Sequence, residues 1–153
     1  MLTPQQIVDR LLLVCLQASS AMNKFSEDDF SFKPAPEKWS KKEILGHLID
    51  SATNNHQRFI RIQFEDNPVI GYDQNKWVEY SRYQQMSTTE LIRFWQTYNQ
   101  HLAALFLQVK EGDWNRTGKS RADREPVTLL WLADDYVVHL EHHLKAMGIV
   151  IPA

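Results

Sequence analysis

Apolar residues in this chain return at steps of three and four, the period of a helix face, in four separate stretches. The first opens at Thr3-Pro4-Gln5-Gln6, where Thr3 is a capping residue, Pro4 suits the first helical position and Gln6 completes a capping box. Its stripe runs through Ile7, Leu11, Val14, Ala18, Ala21 or Met22, and Phe25. A second box, Ser40-Lys41-Lys42-Glu43, starts a stripe of Ile44, Leu48, Ser51 or Ala52, Asn55, Phe59 and Ile62, reaching about Phe64. Ser87-Thr88-Thr89-Glu90 is a third box, followed by Leu91, Phe94 or Trp95, Tyr98, Leu102, Leu105 or Phe106, and Val109. His101 lies off that stripe and is expected at the surface. The fourth stretch starts at Pro126-Val127-Thr128, is apolar nearly all round to Met147, and stops at Gly148. A helix apolar all round packs on several sides. The four together predict an all-α four-helix bundle with long connections.

The connections are polar or broken by proline. Glu27-Asp28-Asp29 and Lys33-Pro34-Ala35-Pro36 read as one, since proline does not sit inside a helix. Asp66-Asn67-Pro68 ends the second helix, and an aromatic-rich connection follows to Met86, with a short helix near Gln74–Tyr80. Long connections in compact domains are often functional. Gly112 to Glu125 sets Arg116, Lys119, Arg121 and Arg124 against Asp113, Asp123 and Glu125. It reads either as a solvated loop or as an anion-binding lip over a site.

Composition narrows the class. The 153 residues show no repeat, low-complexity tract or linker, so a single domain over 1–153 is expected. A net charge of −2 and a pI near 6.3 argue against a nucleic-acid binder that neutralises phosphates. One cysteine, Cys15, sits on an apolar stripe and cannot form an intrachain disulfide. No segment approaches the ~20 apolar residues of a membrane span, and Asp9 and Arg10 interrupt the first apolar run. The expectation is a soluble cytoplasmic protein acting on a small molecule, with neither nucleic acid nor membrane as partner.

The candidate chemistry lies in the last helix. Leu129, Leu132, Tyr136, His139 and His143 step by three and four along one seam, so two imidazoles fall where the core is expected. Buried polar groups cost free energy unless satisfied, and two stacked histidines seldom satisfy each other. A metal ion satisfies both. His47, beside Gly46 on the second helix, is the best-placed third ligand, although a histidine there by itself is more often a satisfied core residue than a ligand. Three protein ligands would leave coordination positions open, as in catalytic sites. His142 lies about 60° from His139 and is an alternative to His143, while Glu141 points away. Asp135, one turn before His139, reads either as a partner for its free ring nitrogen or as a partly exposed helix carboxylate. No zincin motif, Gly-rich phosphate loop, CxxC or Ser-His-Asp order is present.

Three segments carry a resemblance: Pro36-Glu37-Lys38-Trp39-Ser40-Lys41-Lys42-Glu43-Ile44-Leu45-Gly46-His47-Leu48-Ile49-Asp50, His139-Leu140-Glu141-His142-His143, and Gly71-Tyr72-Asp73-Gln74-Asn75-Lys76-Trp77. The chain resembles the DinB-like metal-binding four-helix bundles, which include thiol-dependent S-transferases such as bacillithiol transferase; the third segment looks like that branch. The resemblance implies zinc or nickel held by His47, His139 and His143, and a homodimer. The family name refers to DNA-damage induction and implies no DNA binding. Many members carry Arg-Gly-Gln after the last histidine; here Leu144 follows. A metal on three neutral imidazoles lowers the pKa of a coordinated water or thiol. The resemblance implies a thiol S-transferase using a low-molecular-weight thiol. The alternatives are a metal-dependent hydrolase and a non-catalytic metal-binding or stress-response module.

Overall fold

The computed structural model describes all 153 residues. Six α-helices form in order: α1 (Pro4–Met22), α2 (Glu27–Ser31), α3 (Lys41–Arg61), α4 (Gln74–Ser81), α5 (Thr88–Phe106) and α6 (Leu129–Ala146). The four long ones, α1, α3, α5 and α6, make the expected four-helix bundle. Its order around the axis does not follow the chain. α1 packs on α5 and α6, and α3 packs on the same two, so α1 and α3 stand diagonally opposite, as do α5 and α6. This arrangement needs the long connections the sequence contains, and it sets α3 beside α6.

One contiguous core fills the bundle, with Leu11, Leu48, Phe59, Trp95, Leu102, Phe106 and Leu129 buried. Tyr136 of α6 reaches across this core to α5, where its hydroxyl donates to Asn99 Oδ1 at 2.6 Å. The capping boxes at Thr3 and Ser40 close in both directions. Ser87 accepts from the Glu90 N–H, but Glu90 does not return the bond, so the third box is only half made.

Two connections carry more structure than their polarity suggests. Glu27-Asp28-Asp29 opens α2, capped by Ser26, with three carboxylates against the positive end of the helix dipole and Phe30 buried as its anchor. Phe25, expected on the first stripe, lies beyond α1 and packs on the edge of the core. The polar segment after α5 holds a 3₁₀ turn (Glu111–Asn115) that buries Trp114, then β1 (Thr117–Gly118) paired antiparallel with β2 (Val127–Thr128). Lys119 exchanges backbone hydrogen bonds with Pro68 and Ile70, tying this ribbon to the α3–α4 connection. Thr128 then caps α6 by accepting from the Trp131 N–H. At the far end Gly148 adopts φ +83°, a left-handed conformation suited to glycine, and terminates the helix. No helix is long and apolar enough to cross a membrane.

Candidate functional site

Where α3 passes α6, three histidines meet. His47 is fully buried, and His139 and His143 are half-buried. The Nε2 atoms of His47 and His139 are 3.2 Å apart, and one ring nitrogen from each of the three histidines lies within 4.8 Å of the others. Ring centroids are separated by 5.1 Å (His47–His139), 4.6 Å (His47–His143) and 4.5 Å (His139–His143). Two nitrogens on one zinc, each at about 2.0–2.1 Å, stand roughly 3.3 Å apart in tetrahedral geometry. The His47–His139 separation fits that value. No carboxylate bridges the three rings, so the donor set is three imidazoles.

Burial decides their protonation. It pushes His47 down to about 3, helped by the neighbouring His143 and His139. It pushes His139 down to about 4, with His143 and His142 adding to the effect, and lowers His143 as well. All three are neutral near pH 7, with lone pairs available. Inside the protein, His47 Nδ1 is buried with no hydrogen-bond partner. Beside His47, Gly46 makes room for Tyr83: a Cβ there would lie 2.0 Å from the Tyr83 ring, whose hydroxyl donates to the buried Asp50 carboxylate.

Behind His139, α3 carries a hydrogen-bonded ladder. Ser51 Oγ sits 3.5 Å from His139 Nδ1, at the long end of hydrogen-bond reach. Asn55 Nδ2 donates to Ser51 Oγ at 3.2 Å, and Arg58 Nη1 donates to Asn55 Oδ1 at 3.1 Å. A hydroxyl accepting from the Nδ1–H leaves the Nε2 lone pair of His139 facing His47. Sequence reasoning had offered Asp135 for this position. Asp135 instead makes no hydrogen bond to His139, because its side chain is exposed toward the solvent-filled cleft beside Arg58.

A small cavity meets the cluster at His139 and adjoins a larger one. The smaller, about 110 Å³, is lined by Ser51, Asn55, Arg58, Tyr72 and His139, among others. The larger, about 520 Å³, holds Arg124, Asp123, Glu125 and Trp131. Arg58, Leu132 and Asp135 line both.

The remaining sequence candidates divide clearly. His142 is exposed and stands outside the three-histidine group, its ring 5.3 Å from His143. Glu141 turns away and pairs with Arg10. In the polar segment Arg116 donates to the Ile62 and Glu65 carbonyls at the end of α3, where it fastens the chain. Arg121 pairs with Asp123. Lys119 is engaged through its backbone, and only Arg124 of the four faces the larger cavity. Arg58 was missed. The signal was present: His47, Ser51, Asn55 and Arg58 form a polar row at steps of four, four and three, which an apolar stripe search passes over.

The sequence profile of the DinB superfamily matches residues 17–147. No curated protein sequence matches the chain. In fold the chain is similar to YfiT from Bacillus subtilis, described as a probable metal-dependent hydrolase with an unusual four-helix bundle topology. The TM-score is 0.86 and the identity 20%, over 95% of this chain and 83% of YfiT. It is also similar to a mycothiol-dependent maleylpyruvate isomerase, with TM-score 0.79 and 13% identity, covering 99% of this chain but 65% of that protein. A DinB-like protein of Bacillus subtilis, YjoA, gives TM-score 0.60 at 22% identity, over 97% of this chain and 96% of that one.

Proposed function

Because this chain belongs to the DinB superfamily, we propose that His47, His139 and His143 hold a divalent cation and that the site is that of a thiol S-transferase. The carrying observation is the convergence of three neutral imidazoles within 4.8 Å, one of which, His139, lines an open cleft. When bound, zinc or nickel supplies Lewis acidity that makes a thiol or water nucleophilic near neutral pH. Everything else is the work of the chain. Ser51 fixes the ring of His139, and Asn55 and Arg58 hold Ser51 in place. Tyr72, which burial keeps protonated, lines the smaller cavity with His139 and can donate a hydrogen bond to a leaving group there.

Hydrolysis is the second reading. The smaller cavity has room for water, and YfiT, similar in fold, is described as a probable hydrolase. The test is adduct formation between monochlorobimane and a series of cellular thiols, run beside hydrolysis of activated esters and amides, with zinc- and nickel-loaded protein. Thiol-dependent turnover that His47→Ala abolishes supports transfer. Turnover without thiol supports hydrolysis. No turnover of either kind leaves a metal-binding module.

A further inference from the structure

Arg58 and Asp135 form an opposed pair of charges that do not neutralise each other. Arg58 spends two donors on the protein: Nε on the Ile70 carbonyl at 2.9 Å and Nη1 on Asn55. These bonds hold the guanidinium rigidly, yet Nη2 has no partner and no carboxylate comes within 4.0 Å. Asp135 likewise makes no ion pair and no hydrogen bond, although it lines both cavities together with Arg58. The half-buried guanidinium thus keeps one donor unused in a cleft that it shares with the exposed, unpaired carboxylate of Asp135.

We propose that Arg58 and Asp135 recognise the zwitterionic head of an α-amino-acid-like ligand, carboxylate on Arg58 Nη2 and ammonium on Asp135. This rests on reading the three-histidine cluster as the reactive centre, toward which the ligand's side chain points through the smaller cavity. The charge balance of the cleft selects the class. Its walls carry Arg58 and Arg124 against Asp123, Glu125 and Asp135, so a phosphate or other polyanion meets as much repulsion as attraction. A molecule carrying one charge of each sign can set each against its opposite. The 110 Å³ cavity admits a slender side chain, such as the thiol arm of a cysteine, and the 520 Å³ cavity takes whatever is attached to its head.

The probe is S-methylcysteine, which has both head charges and no thiol to ligate a metal. Its binding is followed by amide chemical shifts in wild type, Arg58→Gln and Asp135→Asn. Each variant should bind about tenfold more weakly, the loss of one charge-assisted hydrogen bond. The methyl ester should lose that factor against wild type but not against Arg58→Gln, and the N-acetyl derivative likewise for Asp135→Asn. Asp135 is exposed, so its variant folds whatever happens at Arg58. Absent binding, or equal binding by all three proteins, overturns the proposal. Failure of the thiol-transfer reading is separate: it shows as no turnover with thiols while S-methylcysteine still binds.

Discussion

His47 Nε2 and His139 Nε2 face each other at 3.2 Å across the α3–α6 interface, although 92 residues separate them in the chain. The diagonal placement of α1 and α3 creates this contact, because a bundle wound in chain order would set α3 diagonally across from α6. Two neutral imidazoles at this separation, with a third ring beside both, have their lone pairs converging on one point. The ligand set is thus a prediction of metal content. His47→Ala, His139→Ala and His143→Ala should each leave the protein without stoichiometric zinc or nickel after dialysis, as read by elemental analysis. His56→Ala, His101→Ala and His142→Ala should keep it. A metal-free His142→Ala protein would move the ligand pair to His139 and His142.

Ser51 should matter without being a ligand. Its hydroxyl is the only side-chain partner of His139 Nδ1. Partners of this kind tune metal affinity by about 10–100-fold. Ser51→Ala should therefore weaken zinc binding by roughly that factor in a competition titration with a chromophoric chelator, while the helical circular dichroism stays unchanged. Unchanged affinity would make the ladder a structural feature of α3 alone.

The metal-free protein should lose stability on mild acidification. Burial holds His47 at about 3 and His139 at about 4, against an ordinary imidazole near 6.5. As pH falls below 6.5 the unfolded chain binds protons that the native state refuses, so stability is full above 6.5 and drains as pH falls toward 4. Asp50 works against this. Burial raises it to about 6 from 3.8, so its contribution is full below 3.8 and is lost as pH rises through 6. Two histidines outweigh one carboxylate, so the melting temperature should fall between pH 7 and pH 5. His47→Gln should flatten that fall. An equal slope in the variant would assign the acid sensitivity elsewhere.

Gly46 permits a close approach that alanine would prevent. Its added Cβ would sit 2.0 Å from a ring carbon of Tyr83, which is itself buried and bonded to Asp50. Overpacking of this kind costs about 1–3 kcal/mol. Gly46→Ala should lower the melting temperature accordingly and, lying next to His47, should also reduce metal affinity. Tyr83→Gly, which opens the space, should restore the affinity in the double variant even though the protein remains destabilised. Failure to restore it would detach the Tyr83 contact from the metal site.

Much of this was legible in the chain because helix periodicity and capping are local. The four long helices, their caps and the His139–His143 pair all follow from residues within a few positions of one another. What escaped depends on tertiary partners. The α2 turn is held by Phe30, whose burial no local pattern shows. Arg116 reads as a loop cation until the end of α3 supplies carbonyls for it, and Arg58 draws no notice until the smaller cavity opens beside it. Helical spacing left Asp135 open between a partner for His139 and a partly exposed carboxylate, and it is exposed, because spacing alone does not fix which way a side chain leans. Ser51, reaching across from α3, holds that position instead.

The bundle should fold without metal, which separates a catalytic ion from a structural one. Its 32-residue buried core spans all four long helices, and the three histidines sit at one edge of it rather than nucleating it. Small domains that depend on a metal for folding lack such a core, and chelators unfold them. Here chelator should leave the far-UV circular dichroism spectrum helical and the thermal transition cooperative. The ion should add stability only through mass action, about 2.7 kcal/mol at a hundredfold excess over its dissociation constant. Because burial keeps native His47 and His139 unprotonated down to about 3 and 4, that gain should persist through pH 6.5 and shrink as pH falls toward 4. Loss of helicity at room temperature on chelation would make the ion structural and remove the main support for an open, reactive site.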